Sequence, residues 1–349
     1  LIHGKSVFFI AALILIPLSV SSLTLEVRAQ IQPVLNVAVS VPSLAGIVED
    51  VGGPLVTVST ILNTPQDPHT FTINPEILSI ADSADLLVFT GHFQWEEDLA
   101  NQTATPFITL NDESAVESYA DYGARLSPLP GGLVAEGQNG NPHGYWLLPI
   151  NALAIANATR EALSLMNAAF ADSWTSNFNS FVERMNNLES FIGSLDETHD
   201  FSQMQAVLVT PPEAYVAEAF GIQCDTVLQV EDITLSAAKL LEVQTALRNG
   251  TVQLILGSDL SQFEAAGEYS YQLQADYGGT LIWWQTLFFS GDYFSLMNYN
   301  LGALVSGIAD MSGSTTSEGT NIGLVALATV LGIMVVIETT LLILRARAE

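Results

Sequence analysis

Residues 63–91 read NTPQDPHTFTINPEILSIADSADLLVFTG, and the order of elements in this stretch decides the fold. Asp67-Pro68-His69 is a loop tripeptide, because Pro68 has no amide hydrogen and its ring holds Asp67 extended. Asn74-Pro75-Glu76 opens a helix, with Asn74 as cap and Pro75 at the first helical position. Ile77, Ile80, Ala81 and Ala84 follow at helical spacing and predict a buried face. Leu86–Phe89 is a short apolar strand that Gly91 stops. His69 thus sits in a loop above a packed helix and strand. Imidazole in such a place is a natural metal ligand, and equally a side chain that caps a turn.

Upstream, Val34–Val41 is an apolar strand, Pro42–Val51 a helix packed on it, and Val56–Leu62 the strand that delivers the chain to His69. Strand, helix and strand in this order predict a parallel sheet covered on both faces. Ligands on such sheets bind at the carboxyl ends of the strands, where His69 falls. His92 follows Gly91 at the end of the next strand, in GHFQWEEDL, where it either reaches a cleft or lies on the surface. Residues 111–142, rich in Gly and Pro, read as one long loop.

The stretch DPHTFTINPEILSIADSADLLVFTG resembles the first metal-ligand segment of the zinc/manganese solute-binding proteins of ABC importers. NPHGYWLLPINA, residues 141–152, is similar to the second, with one extra residue between His and Trp and with Leu148 where the family has Asp. The resemblance covers most of residues 34–310. It implies an α/β fold of two lobes, each with a parallel β-sheet flanked by helices, joined by a long rigid helix. His69 and His143 would be the ligands from the first lobe. The family's third ligand, His or Glu, falls near Thr210 or Pro211 in TPPEAYVAEAFGI; Glu213 serves if the loop is shortened. Its fourth, an Asp, is Gln285 in GGTLIWWQTL, and a neutral amide is a poor ligand for zinc or manganese. Tyr293, Met297, Asn300 and Leu301 match the closing helix. The implied cargo is a divalent metal ion, zinc or manganese, and the implied partners are an ABC permease and its ATPase. Metal capture needs deprotonated ligands, so affinity is expected to fall in acid.

Leu153–Phe170 and Ser173–Leu195 carry apolar residues at helical spacing. Phe178, Phe181, Val182, Met185, Leu188, Phe191 and Ile192 read as a core stripe of the second helix, which the resemblance makes the inter-lobe link. The boundaries expected are an N-terminal lobe at 30–170, the linking helix at 171–200 and a C-terminal lobe at 201–311. Lys5, the apolar run Val7–Val20 and small residues at Val27-Arg28-Ala29 read as a secretory signal over 1–29. After a polar linker at 312–320, the segment 321–344 is apolar enough to cross a bilayer, and Arg345 and Arg347 place a short tail, 345–349, in the cytoplasm. The expectation is therefore a single-pass cell-membrane protein with an extracellular or periplasmic body. Sequons at Asn101, Asn157 and Asn249 fit such a body.

The formal net charge is −28, from 9 basic and 37 acidic residues, which argues against a nucleic-acid partner. Cys224 is the only cysteine, so neither an internal disulfide nor a thiolate cluster can form. Two further classes stay open on the sequence. One is a metal-free relative that binds another ligand or a partner protein in the same cleft. The other is a metallohydrolase built on His69, His143 and Glu213, for which no H-E-x-x-H helix or nucleophile elbow speaks. The primary expectation is a binding protein, not an enzyme.

Overall fold

A computed structural model describes residues 32–132, 140–231 and 233–313. Two parallel sheets follow one another along the chain. The first runs through β1 (Leu35–Val39), α1 (Pro42–Gly52), β2 (Val56–Thr60), α2 (Pro75–Ser83), β3 (Leu86–Val88), α3 (Gln94–Gln102), β4 (Phe107–Thr109) and β5 (Glu117–Ser118). Its strand order is β2-β1-β3-β4-β5. Every pairing is parallel, with helical crossovers joining the strands from β1 to β4 and a short irregular segment joining β4 to β5. β1 and β3 are nearly all apolar and buried, the composition of strands covered on both faces.

Then come α4 (Pro149–Met166) and α5 (Ala171–His199). The second sheet is built from β6 (Gln205–Leu208), α6 (Glu213–Phe220), β7 (Gln223–Val227), the small antiparallel hairpin β8 (Gln229–Val230) and β9 (Ile233–Thr234), α7 (Ala237–Arg248), β10 (Leu254–Ser258), α8 (Ala265–Tyr277) and β11 (Thr280–Trp284). Its order is β11-β10-β6-β7. α9 (Tyr293–Gly313) closes the described chain. Both sheets belong to one compact unit that begins at Pro33.

Alternation along β6 shows how the second sheet is covered. Ala206 and Leu208 join the large core that runs from the first sheet through α5 and α9, whereas Val207 and Val209 face a separate cluster with Val243, Leu247 and Leu273. On α5 the buried residues are Trp174, Phe181, Met185, Leu188 and Ile192. Phe191, expected in this stripe, is exposed, because it stands one residue, about 100° of helix, away from Ile192. The expected long loop at 111–142 holds the edge strand β5 and a turn that buries Tyr119, whose hydroxyl donates to Phe89 O at 2.8 Å.

One expectation is corrected. Among the described residues no helix is long and apolar enough to cross a membrane. The described residues form the two-lobed α/β body, and among them the expected transmembrane helix and single-pass membrane placement have no helix to rest on. The segment 321–344 on which both were based lies outside the described residues, as do the signal at 1–29 and residues 314–320 of the linker expected at 312–320, whose first two residues instead end α9.

Candidate metal centre

The tripeptides Asp67-Pro68-His69 and Asn141-Pro142-His143 fold alike. In each, the first side chain accepts from the histidine amide two residues on: Asp67 Oδ1 from His69 N at 2.9 Å, and Asn141 Oδ1 from His143 N at 3.0 Å. Such turns are a property of Asp and Asn, and the central proline, with φ fixed, reinforces them. Trp95 Nε1 donates to Pro68 O at 3.0 Å and fixes the first turn. Asn141 fixes the second, donating through Nδ2 to Pro211 O at 2.9 Å and accepting from Tyr215 Oη through its carbonyl.

His92 is positioned by a buried carboxylate. Glu96, on the first turn of α3, accepts from Thr90 N (2.7 Å), Thr90 Oγ1 (2.8 Å), Gly91 N (2.8 Å), His92 N (3.1 Å) and Phe93 N (3.2 Å). Gly91 makes the bend possible: its φ is +72°, and a Cβ there would meet Thr109 Oγ1 at 2.5 Å. Burial raises the Glu96 pKa, and hydrogen bonding from Ser40, then Thr90 and Phe93, opposes the rise.

These turns bring His69, His92 and His143 together, with one ligand atom of each within 4.8 Å of the others. Ring centroids are 5.0 Å apart for His69 and His92, 5.5 Å for His69 and His143, and 4.3 Å for His92 and His143. His143 Nδ1 lies 3.1 Å from Asn141 Oδ1, an oxygen whose amide partner is already donating to Pro211. An amide oxygen only accepts, so Nδ1 carries the hydrogen and Nε2 keeps its lone pair. The Nε2 atoms of His92 and His143 are buried and have no hydrogen-bond partner. Burial, then the charges of His143 and His69, pushes the His92 pKa down to about 2; burial and His69 push His143 down to about 4. Both imidazoles therefore stay neutral, as ligands must, well below ordinary histidine titration, and the acid loss expected from the sequence moves to lower pH.

The rings line a cavity of ≈ 20 Å³, room for one water-sized body. Its far wall comes from the second sheet and is mostly apolar: Pro212, Leu260 and Leu287. Gly144, with φ +77°, lets the His143 loop approach this wall; a Cβ there would sit 3.1 Å from Pro212 Cα.

Glu213 and Gln285 do not join the cluster. The Glu213 carboxylate is fully buried and accepts from Thr210 N (3.0 Å), Thr210 Oγ1 (2.9 Å) and Ser261 Oγ (3.0 Å). Burial pushes its pKa up to about 7 against these bonds. Gln285 follows β11, where its main-chain N–H donates to Asn300 Oδ1 at 2.7 Å and its carbonyl accepts from Asn300 Nδ2 at 2.8 Å; it is absent from the cavity lining. A residue the sequence reading passed over lies closer. Glu231, in the turn between β8 and β9, places Oε1 3.7 Å from His143 Nε2. Nothing local in the sequence announces it, since the proximity depends on how the second sheet meets the His143 loop.

A two-lobed parallel-sheet protein with three imidazoles gathered at the strand ends, one exposed and two partly buried, belongs to the class that holds a small cation in a cleft. The family described as zinc-uptake complex component A, periplasmic (ZnuA), matches residues 37–307. The chain belongs to this family and is an extracytoplasmic solute-binding component of an ABC importer that captures a divalent metal ion for delivery to the permease. The iron-binding protein YfeA of Yersinia pestis is 22% identical over 277 residues, which cover 75% of this chain and 82% of that protein. Among solved structures, ZnuA superposes with a TM-score of 0.64 at 20% identity, covering 78% of this chain and 98% of its own. FpvC of Pseudomonas aeruginosa, solved in complex with Mn2+, gives 0.61 at 18% identity, covering 79% and 99%. A periplasmic metal binding protein of Candidatus Liberibacter asiaticus also gives 0.61 at 18%, covering 78% and 99%. At these identities the similarity is one of fold.

Proposed function

We propose that His69, His92 and His143 hold the captured ion, and that zinc is the preferred cargo. The observation that carries this reading is the convergence of the three imidazoles within 4.8 Å, two of them with buried, unpartnered Nε2 atoms. Neutral nitrogen donors suit zinc, whereas manganese favours carboxylate and carbonyl oxygen. A cavity with room for one water-sized body speaks for a bare ion over an organic ligand. The lobes at 30–170 and 201–311, linked by the helix at 171–200, would close on the ion, and the ABC permease with its ATPase would take it onward. No bond is made or broken by the protein.

Thermal melts with zinc, manganese and iron(II) test the reading. A ligand that binds only the folded state at a hundredfold excess over its dissociation constant raises stability by ~2.7 kcal/mol. Zinc should give the largest shift. His69→Ala, His92→Ala and His143→Ala should each abolish it, while Gln285→Ala leaves it unchanged. Absence of a shift with any of the three metals would overturn the proposal.

A further inference from the structure

We infer that Glu231 is the second lobe's ligand to the captured ion, a carboxylate that completes the three-histidine set. The inference rests on the proposed histidine site and adds a residue that the sequence pattern does not mark. Glu231 Oε1 lies 3.7 Å from His143 Nε2. Because the Nδ1 hydrogen of His143 is directed at Asn141 Oδ1, Nε2 presents a lone pair, so two acceptor atoms face each other with no hydrogen to share. Two lone pairs at such a distance repel, and a cation bound by both removes the repulsion. The Nε2 atom is also buried and has no hydrogen-bond partner.

The second lobe offers the ion little else. Pro212, Leu260 and Leu287 on its wall are apolar. The Glu213 carboxylate is engaged by Thr210 and Ser261, and the Asp259 carboxylate accepts from the amides of Thr286 and Phe288, both at 2.9 Å. Among the described residues, no backbone donor engages the Glu231 carboxylate. Its own carbonyl accepts from Gln229 Nε2 at 2.8 Å, which holds the turn without occupying the side chain. Three neutral imidazoles and one carboxylate make a four-ligand set of the kind zinc takes, with the net charge of the bound site reduced from +2 to +1. The hairpin would thereby couple the second lobe to the ion, so that occupancy and lobe contact become one event.

The test uses the full chain and Co2+ and Zn2+ as probes. Competition titrations against a chromophoric chelator give affinities, and the visible spectrum of bound Co2+ reports the ligand set. Loss of an outer-shell partner alone shifts metal affinity by about 10–100-fold, so Glu231→Gln should weaken zinc by at least about tenfold and alter the Co2+ spectrum. Glu264→Gln, a second carboxylate near Asp67, controls for general charge and should leave the spectrum unchanged. If wild type and Glu231→Gln bind with equal affinity and identical spectra, the inference falls and the histidine site stands. Equal weakening by Glu231→Gln and Glu264→Gln with unchanged spectra also overturns it. If the wild type binds neither metal, the histidine reading itself has failed.

Discussion

Replacing Glu96 with Gln should unlatch the loop that carries His92. The carboxylate is completely buried and serves donors only: Thr90 N on Oε1, and Thr90 Oγ1, Gly91 N, His92 N and Phe93 N on Oε2. Glutamine can leave its oxygen at the Oε2 position, but its NH2 then points at Thr90 N, donor against donor. A buried amide left without an acceptor costs ~1–3 kcal/mol, and the remaining bonds lose their charge assistance, which distinguishes ~1.5–3 kcal/mol bonds from ~0.5–1.5 kcal/mol ones. Because those bonds crowd one oxygen, their losses do not add, and ~3 kcal/mol in total is the working figure. For a domain of this size that is a fall of roughly 6–12 °C in melting temperature. Urea and thermal unfolding of wild type and Glu96→Gln measure it, and a zinc titration of the variant at a temperature where it is folded shows whether His92 has lost its place. A destabilisation below about 1 kcal/mol would refute the view that this carboxylate organises the loop.

Glu213→Gln separates a structural role from a ligand's role and does so through pH. The folded carboxyl, pushed from its ordinary 4.5 up to about 7, binds its proton more tightly than the unfolded chain does, so stability falls as pH rises from 4.5 to 7. That rise corresponds to ~3 kcal/mol at ~1.4 kcal/mol per pH unit; Glu213→Gln should remove this pH dependence while leaving zinc affinity unchanged, and denaturant melts at pH 4.5 and 7.5 check it. Arg184 on α5 bonds Asp50 Oδ1 at 2.7 Å and Asp292 Oδ1 at 3.0 Å and lies 4.0 Å from the Phe294 ring centroid, tying α1 to the start of α9. Half-exposed ion pairs are weakened by water, so Arg184→Met should cost only ~1–2 kcal/mol in a urea melt, with loss reduced further in high salt; no change at low salt would mean the pairs are idle.

How far the sequence could be read depended on the range of the interactions involved. The DPH and NPH turns, the Asn74 cap and the apolar strands are local, and the structure has them where the residue pattern put them: Asn74 Oδ1 accepts from Glu76 N and Ile77 N, and β3 is three buried residues. Position within the cleft is not local. His92 read more readily as a surface residue, because its place in the cleft comes from His69 and His143, distant in sequence, and from the Glu96 contacts. Glu213 carried the ligand reading only if the loop after β6 is shortened, since the family position falls at Thr210 or Pro211, and the sequence pattern has no means of showing Ser261, 48 residues on, donating to its carboxylate. Glu231 left no trace at all, since a two-residue hairpin turn with φ +49° reads only as a turn. The seven-residue stripe on α5 failed at Phe191 for a simpler reason, that adjacent helical residues cannot share one narrow face.

The two buried glutamates explain why the imidazoles all come from one lobe. Each lobe ends a central strand on a threonine whose amide and hydroxyl are both taken by a glutamate from the following helix: Thr90 by Glu96 after β3, and Thr210 by Glu213 after β6. In the first lobe the intervening segment is Gly91-His92-Phe93, long enough to raise an imidazole toward the cleft while its amide stays tied to Glu96. In the second it is Pro211-Pro212, which carries no side-chain ligand atom and presents Pro212 as wall. Releasing Glu213 to bind an ion would strand Thr210 N and Thr210 Oγ1 in the interior, at ~1–3 kcal/mol for each unsatisfied group. On the proposed site, an ion entering this cleft would therefore meet the first lobe's histidines as its principal donors. The apolar part of the second lobe's wall lowers the polarity around the proposed site, and lower polarity would strengthen each donor's hold on the ion.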